Sequence, residues 1–309
     1  MSEQKEICLY IPSLYRAEAL LEVLFEIRRS SIPDWCSVIV AIERFKDPES
    51  WRIASSFADV EGLQVINGLN QGFAGAFLHV FEVSDARYVM HLADEESPDL
   101  LALKGLIPFL QHKLPDALIT NFEIIREDCT SIKYRAYKDH LATASDLLYC
   151  MHNPGMLWST EKVKKLLPVI YDLKNRFPTI YTYYPHLLIL TLMMTGSSVF
   201  FHSAVVSRQV RFFEKNHEVN SGGDFKSFSN RWCLLSELNS LAKHLESYSE
   251  YRPIIGGLRR AVMREVFPML RRAYANEKNL TTTLILKSAL MYWSGFYRLT
   301  RYLKRYYKI

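Results

Sequence analysis

Short apolar runs and amphipathic stretches alternate through the first 120 residues. Residues 7–11 form a β-rich apolar run that stops at Pro12-Ser13. Residues 17–29 follow with Leu20, Leu21, Leu24 and Ile27 at helical spacing. Residues 37–42 (SVIVAI) are almost wholly apolar and β-branched, the mark of a strand buried on both faces. The same reading predicts helices over 51–58, 72–84 and 98–111, and strands over 63–66, 88–92 and 116–121. Strands separated by helical segments imply βαβ units, so the predicted fold class is α/β with a mostly parallel, Rossmann-like sheet flanked by helices.

The pattern loosens after residue 121. Asn153-Pro154-Gly155 signals a turn, ahead of a predicted strand over 156–158 and a helix over 160–167. An apolar helix over 185–195 and a strand over 198–202 follow. Residues 207–230 are polar, with Ser221-Gly222-Gly223 as a hinge and Arg208, Arg211 and His217 able to face phosphate. They predict a mobile loop that closes over a bound ligand. From residue 231 the chain reads as helical. Three parts result: a binding and catalytic body over 1–206, the loop over 207–230, and a helical C-terminal region over 231–309.

Composition narrows the class. No stretch approaches the ~20 apolar residues that cross a bilayer. The five cysteines are scattered without a CxxC pair, which argues against a zinc site or a disulfide framework and for reduced thiols in the cytoplasm. The net charge of +5 is unevenly spread. From Gly257 onward the chain carries twelve Lys and Arg against two acids, leaving 26 basic and 31 acidic residues before it. In that tail Ile285, Ala289, Trp293, Phe296, Leu299 and Leu303 recur every three or four residues beside Arg298, Arg301, Arg305 and Lys308. A basic, aromatic, amphipathic helix suits peripheral contact with the inner membrane face. The apolar stripe serves equally to pack on the body or on a second copy of the chain, so a homo-oligomer stays open. Nucleic acid is a poorer partner, because the body itself is acidic.

In a parallel sheet, ligands bind beyond the carboxyl ends of the strands. The polar residues there are Pro12-Ser13, Glu43-Arg44, Asn67 with Asn70, and Asp94-Glu95-Glu96. Three adjoining carboxylates at a strand end repel one another unless a cation sits among them, and their oxygens suit Mg²⁺ or Mn²⁺. The competing reading is a charged turn that favours the dipole of the next helix.

The ordered set resembles family 2 of the GT-A glycosyltransferases, the large inverting family of bacterial polysaccharide synthesis, including O-antigen and capsule. The resemblance rests on Ile11-Pro12-Ser13-Leu14-Tyr15-Arg16, on residues 38–43 ending in Glu43, on Asn70-Gln71-Gly72-Phe73-Ala74-Gly75-Ala76, and on Asp94-Glu95-Glu96. Order and spacing fit over residues 7–111. The resemblance implies a UDP-, GDP-, dTDP- or CDP-sugar donor and a glycan acceptor carried on a lipid diphosphate. It places Asp94 and Glu96 on the divalent ion, with Glu95 beside them at the donor. It places Pro12, Ser13 and Glu43 against base or ribose, Arg16 near phosphate, and Asn70 and Gly72 in a turn against the nucleotide. Leu14, the Ile42-Glu43-Arg44 run and the final Glu of the triplet depart from the family pattern. The family's catalytic acid, late in the domain, is replaced by Tyr183-Tyr184-Pro185-His186. His186 is the substitute base, with Asp146, Asp172 and Glu161 as fallbacks, so inversion and retention both stay open. Two rivals are a GT-A scaffold that has lost catalysis and a nucleotidyltransferase; the second lacks its Gly-rich loop here.

Overall fold

The computed structural model describes residues 4–69, 72–125, 130–143, 146–150, 152–196, 198–210 and 227–261. Asn70, residues 211–226 and the basic amphipathic stretch over 285–308 lie outside the described residues.

The first four strands are β1 (Ile7–Ser13), β2 (Cys36–Ile42), β3 (Leu63–Asn67) and β4 (Tyr88–His91). They are joined by α1 (Ala17–Ser30), α2 (Pro48–Ser55) and α3 (Gly72–Val83). All their pairings are parallel: β1 lies between β2 and β4, and β3 flanks β2. Side chains alternate across β1. Cys8 and Tyr10 enter one core with Phe77, Phe81 and Leu187, while Ile7, Leu9 and Ile11 enter the other with Leu20, Leu24 and Leu103. Helix α1 buries Leu20, Val23, Leu24 and Ile27, one face at the predicted spacing.

The second half is mixed. It contains β5 (Glu96–Pro98), α4 (Leu100–Lys113), β6 (Ala117–Ile125), β7 (Thr130–Lys133) and β8 (His140–Leu141). A 3₁₀ turn over Asp146–Cys150 leads to β9 (Met156–Ser159), α5 (Thr160–Lys174), α6 (Pro178–Tyr183), α7 (Pro185–Met193) and β10 (Val199–Val210). Helices α8 (Phe228–Glu246) and α9 (Arg252–Ala261) close the described chain. The sheet order is β3-β2-β1-β4-β9-β6-β10-β5, with β7 on β6 and β8 on β10. Strand β9 runs antiparallel to both neighbours and joins the two halves. The α/β expectation with a helical C-terminal part therefore holds.

Several boundaries differ from the predicted ones. Pro98 does not open α4; it ends the edge strand β5, and Asp99 caps the helix by accepting from Ala102 N at 2.8 Å. Helix α5 runs through Pro168 to Lys174, seven residues past the predicted end. Ser207 to Val210, read as the start of the loop, continue β10, where residues 207–209 pair antiparallel with β5. Residues 228–230, read as the loop's end, belong to α8, capped by Ser227.

Candidate active site

Two parallel strands deliver the central groups. Strand β1 ends at Ser13, and the turn after it sets Tyr15 in the left-handed region at φ 59°. That conformation is costly for a residue with a Cβ, by about 1 kcal/mol or more, and it is kept only where surroundings impose it. Here the imposing group is Asp47, a buried carboxylate that accepts from Tyr15 N and also caps α2 through Ser50 N at 3.1 Å. The turn aims Arg16 at the acidic segment after β4. Arg16 Nη1 lies 2.9 Å from Asp94 Oδ1 and 3.2 Å from Glu95 Oε2. Ser13 Oγ donates to Asp94 Oδ2 at 2.8 Å, and Gln209 Nε2 donates to Glu95 Oε1 at 2.8 Å. These charge-assisted bonds are largely shielded from water, so each counts for more than a surface pair does. Burial pushes the Asp94 carboxyl up from its ordinary range, with the Arg16 guanidinium and the Ser13 hydroxyl pulling against it.

Glu96 is buried: its Oε2 accepts from Ala93 N at 3.3 Å, and its backbone pairs with Gln209. Burial pushes its carboxyl up to about 8, opposed by the Ala93 N–H and by the buried Arg135, and aided by Glu95 and Asp94. The pair that meets at one point is therefore Asp94 and Glu95. The physical reason is the edge strand: once residues 96–98 pair with β10, Glu96 is carried inward and Glu95 is left facing Arg16.

The donor set tests the metal expectation. Two carboxylates converge on a single cation, as a divalent ion would require, and that cation is Arg16. Among the described residues, no group of three or more His, Cys, Asp and Glu side chains is placed to hold a metal ion. A metal would have to share or replace the guanidinium at Asp94 and Glu95.

The other expected residues lie on β1, just after β2 and at the starts of α3 and α7. Pro12 sits within β1, beside Ala41 of β2, and Glu43 follows β2 as an ion pair with Lys46 at 3.1 Å. Asn67 Oδ1 accepts from Arg44 N at 3.1 Å, tying the ends of β2 and β3 together. Gly72 opens α3 at φ +68°, a conformation L side chains rarely adopt. Phe45, beside Glu43, is 92% exposed and was not singled out by the sequence. His186 lies at the start of α7 but is buried, its ring 6.2 Å from that of Phe77 and 5.9 Å from that of Tyr184. Phe77 in turn stacks on His91 at 3.7 Å, and His91 Nε2 bonds to Phe77 O at 2.8 Å. Of the fallback acids, Glu161 and Asp172 are exposed on α5, while Asp146 accepts from Thr143 N and Oγ1 at 2.7 Å each.

Sequence reasoning also missed Arg135 and Asn121. Arg135 is buried, its guanidinium donating to the carbonyls of Thr120, Tyr149, His152 and Pro154. Gly155, at φ +70°, lets that loop close on β6, since a Cβ there would fall 2.7 Å from Thr120 Oγ1. No periodicity marks a buried arginine, and its acceptors are backbone atoms that a sequence does not display.

With this geometry established, comparison with known proteins places the fold. No family model matches the chain, and no curated protein matches its sequence. Solved structures do match. S. aureus TarS residues 1–349 in complex with UDP-GlcNAc is 13% identical, covering 87% of this chain and 79% of that one, with a TM-score of 0.55. The same fragment with UDP gives 0.56 over 87% of both chains. The mannosyltransferase PcManGT from Pyrobaculum calidifontis, in complex with GDP-Man and Mn²⁺, is 13% identical, covering 99% of this chain and 85% of that one, with a TM-score of 0.53. The fold is that of the GT-A glycosyltransferases.

Proposed function

We propose that this chain transfers a sugar from a nucleoside-diphosphate sugar to a glycan hydroxyl, in the assembly of a bacterial surface polysaccharide. The observation that carries the reading is the Ser13–Asp94–Arg16–Glu95 constellation, buried at Ser13 and Asp94, at the carboxyl ends of β1 and β4. It lies where a parallel sheet binds ligands, on a fold whose solved relatives hold UDP-GlcNAc and GDP-Man. Arg16 would meet the diphosphate, and Glu43 and Ser13 the base and ribose. A divalent ion at Asp94 and Glu95, where Arg16 now supplies the positive charge, would help neutralise the leaving diphosphate. A thermal-shift panel of UDP, GDP, dTDP and CDP with Mn²⁺ or Mg²⁺ tests the reading, because a ligand that binds only the native state raises apparent stability. No shift with any of the four would overturn it.

We place the acceptor on a lipid diphosphate at the cytoplasmic membrane face, reached through the basic stretch over 285–308. Among the described residues, no helix is long and apolar enough to cross a membrane. The burial of His186 favours a second reading, a GT-A domain that binds donor but does not turn it over. Donor hydrolysis with Mn²⁺ separates the two: measurable release of nucleoside diphosphate removes the second.

A further inference from the structure

Between β7 and β8 the chain crosses β6, and the crossing is bolted down. Asn121 Oδ1 accepts from Arg135 N at 2.6 Å and from Ala136 N at 3.0 Å, while its Nδ2 donates to Ala136 O at 2.9 Å and Ser203 O at 2.7 Å. One buried amide thus fixes two successive peptide units of the crossing to the sheet beneath. Arg135 locks it a second time, through the carbonyls already named and by lying 4.7 Å over the Phe122 ring. Buried polar groups satisfied in this way make a rigid base.

That base carries aromatic rings into water. Tyr134 and Tyr137 flank the anchored pair, their ring centroids 5.1 Å apart and their planes 20° from parallel. Tyr137 is 85% exposed and Tyr134 is 49% exposed. Tyr149, also half exposed, hands its carbonyl to the same Arg135. Large apolar rings held rigidly in solvent, with hydroxyls at their rims, offer a flat amphipathic face at little ordering cost to a ligand.

Three considerations name the occupant. The open outer face of the stack, on the more exposed Tyr137, matches the C–H face of one sugar ring and falls far short of the ~800 Å² per partner that a stable protein interface buries. Lys138 and Asp139, the next two residues, cancel in charge and give an anionic lipid surface nothing to hold. The anchor also lies one strand from the acidic segment, since Gln209 of β10 pairs with Glu96 on one side and with Ile124 of β6, three residues from Asn121, on the other. On the reading of this chain as a sugar transferase, on which this inference rests, the geometry points to Tyr134 and Tyr137 as the platform on which a ring of the acceptor glycan lies.

Saturation-transfer NMR with the methyl glycosides of glucose, galactose, mannose and N-acetylglucosamine, at millimolar concentration, tests the assignment on the full chain. At least one glycoside should receive saturation at its ring protons from the wild-type protein. In Tyr134→Ala/Tyr137→Ala its affinity should fall by about threefold to tenfold, the scale of one lost aromatic contact. The melting temperature and the nucleotide-induced shift should stay as in wild type. Tyr137→Ala alone, at a side chain mostly in water, keeps the test open should the double variant unfold. No saturation from wild type, or equal binding by wild type and variant, overturns the platform even when nucleotides bind. Tyrosine-dependent glycoside binding without any nucleotide shift would keep the platform and remove the donor reading.

Discussion

At the scale of single residues, charge neutralisation in a shielded place dominates. Asp94 holds Arg16 and Ser13 at once, so Asp94→Asn should remove one of the two carboxylates that Arg16 meets there. We expect sugar transfer to fall about a hundredfold or more, the usual effect of losing one preorganised electrostatic contact. Circular dichroism should stay unchanged, and nucleotide affinity measured by calorimetry should drop. Full wild-type activity in excess EDTA would remove the divalent ion from the account while leaving Arg16 in it. His91 gives a prediction about stability. Burial lowers its pKa to about 3 against an ordinary 6.5, the bond to Phe77 O opposing. Between those values the unfolded chain binds a proton that the native state refuses, so stability is lost as pH falls from 6.5 towards 3. Melting temperature against pH should therefore slope more steeply for wild type than for His91→Gln over that window. Parallel slopes would refute the assignment.

At the scale of elements, the parallel half was readable and the mixed half was not. The stretch SVIVAI can hardly be anything but a central strand, and its observed burial agrees. Helix α1 announced itself through four apolar residues on one face. Strand β5 had no such signal, because Glu96-Ser97-Pro98 combines an acid with a proline and is defined by a partner more than a hundred positions away. Proline is tolerated at such an edge because one side of the strand needs no ladder. The acidic triplet follows the buried strand β4, as its place in the sequence predicts. That Asp94 and Glu95 are the two carboxylates meeting Arg16 goes with the pairing of Glu96 to β10, which the sequence does not display. Helix α5 shows the opposite error: the predicted helix ends at Leu167, yet Ile170 and Leu173 bury the turn beyond Pro168. Arg135 is the element-scale test. Arg135→Met would remove a donor from four carbonyls, of which that of Thr120 belongs to a buried residue, at about 1–3 kcal/mol for each one that water cannot reach. We expect an urea midpoint well below wild type with an unchanged m-value. A variant of wild-type stability would mean that the loop over 146–155 is held by other contacts.

At the scale of the whole molecule, charge is divided between an acidic body and a basic tail. The tail lies outside the described residues, and its role rests on sequence pattern alone. Flotation with anionic liposomes, at low and high salt, compares the full chain with one ending near Asn279. The full chain should float at low salt, weakly at high salt, and the shortened chain should not. Equal flotation of both chains, or of neither, would take membrane contact away from the tail.

The bond between Gln209 and Glu95 spans 114 positions, and β5 finds its partner only when β10 exists. Synthesis proceeds at about 5–20 residues per second, so the acidic segment emerges from the ribosome roughly 6–23 s before the strand that completes it. Strands β1, β2 and β3 have all their partners within the first 91 residues and can assemble during that interval, while β4 waits on one side for β9. The acidic edge must wait for β10. Until β10 arrives, the three carboxylates stand at an open margin of a half-built sheet, and their mutual repulsion discourages premature pairing with another nascent chain. Acidity clustered at one sheet margin thus guards the unfinished protein during its own synthesis.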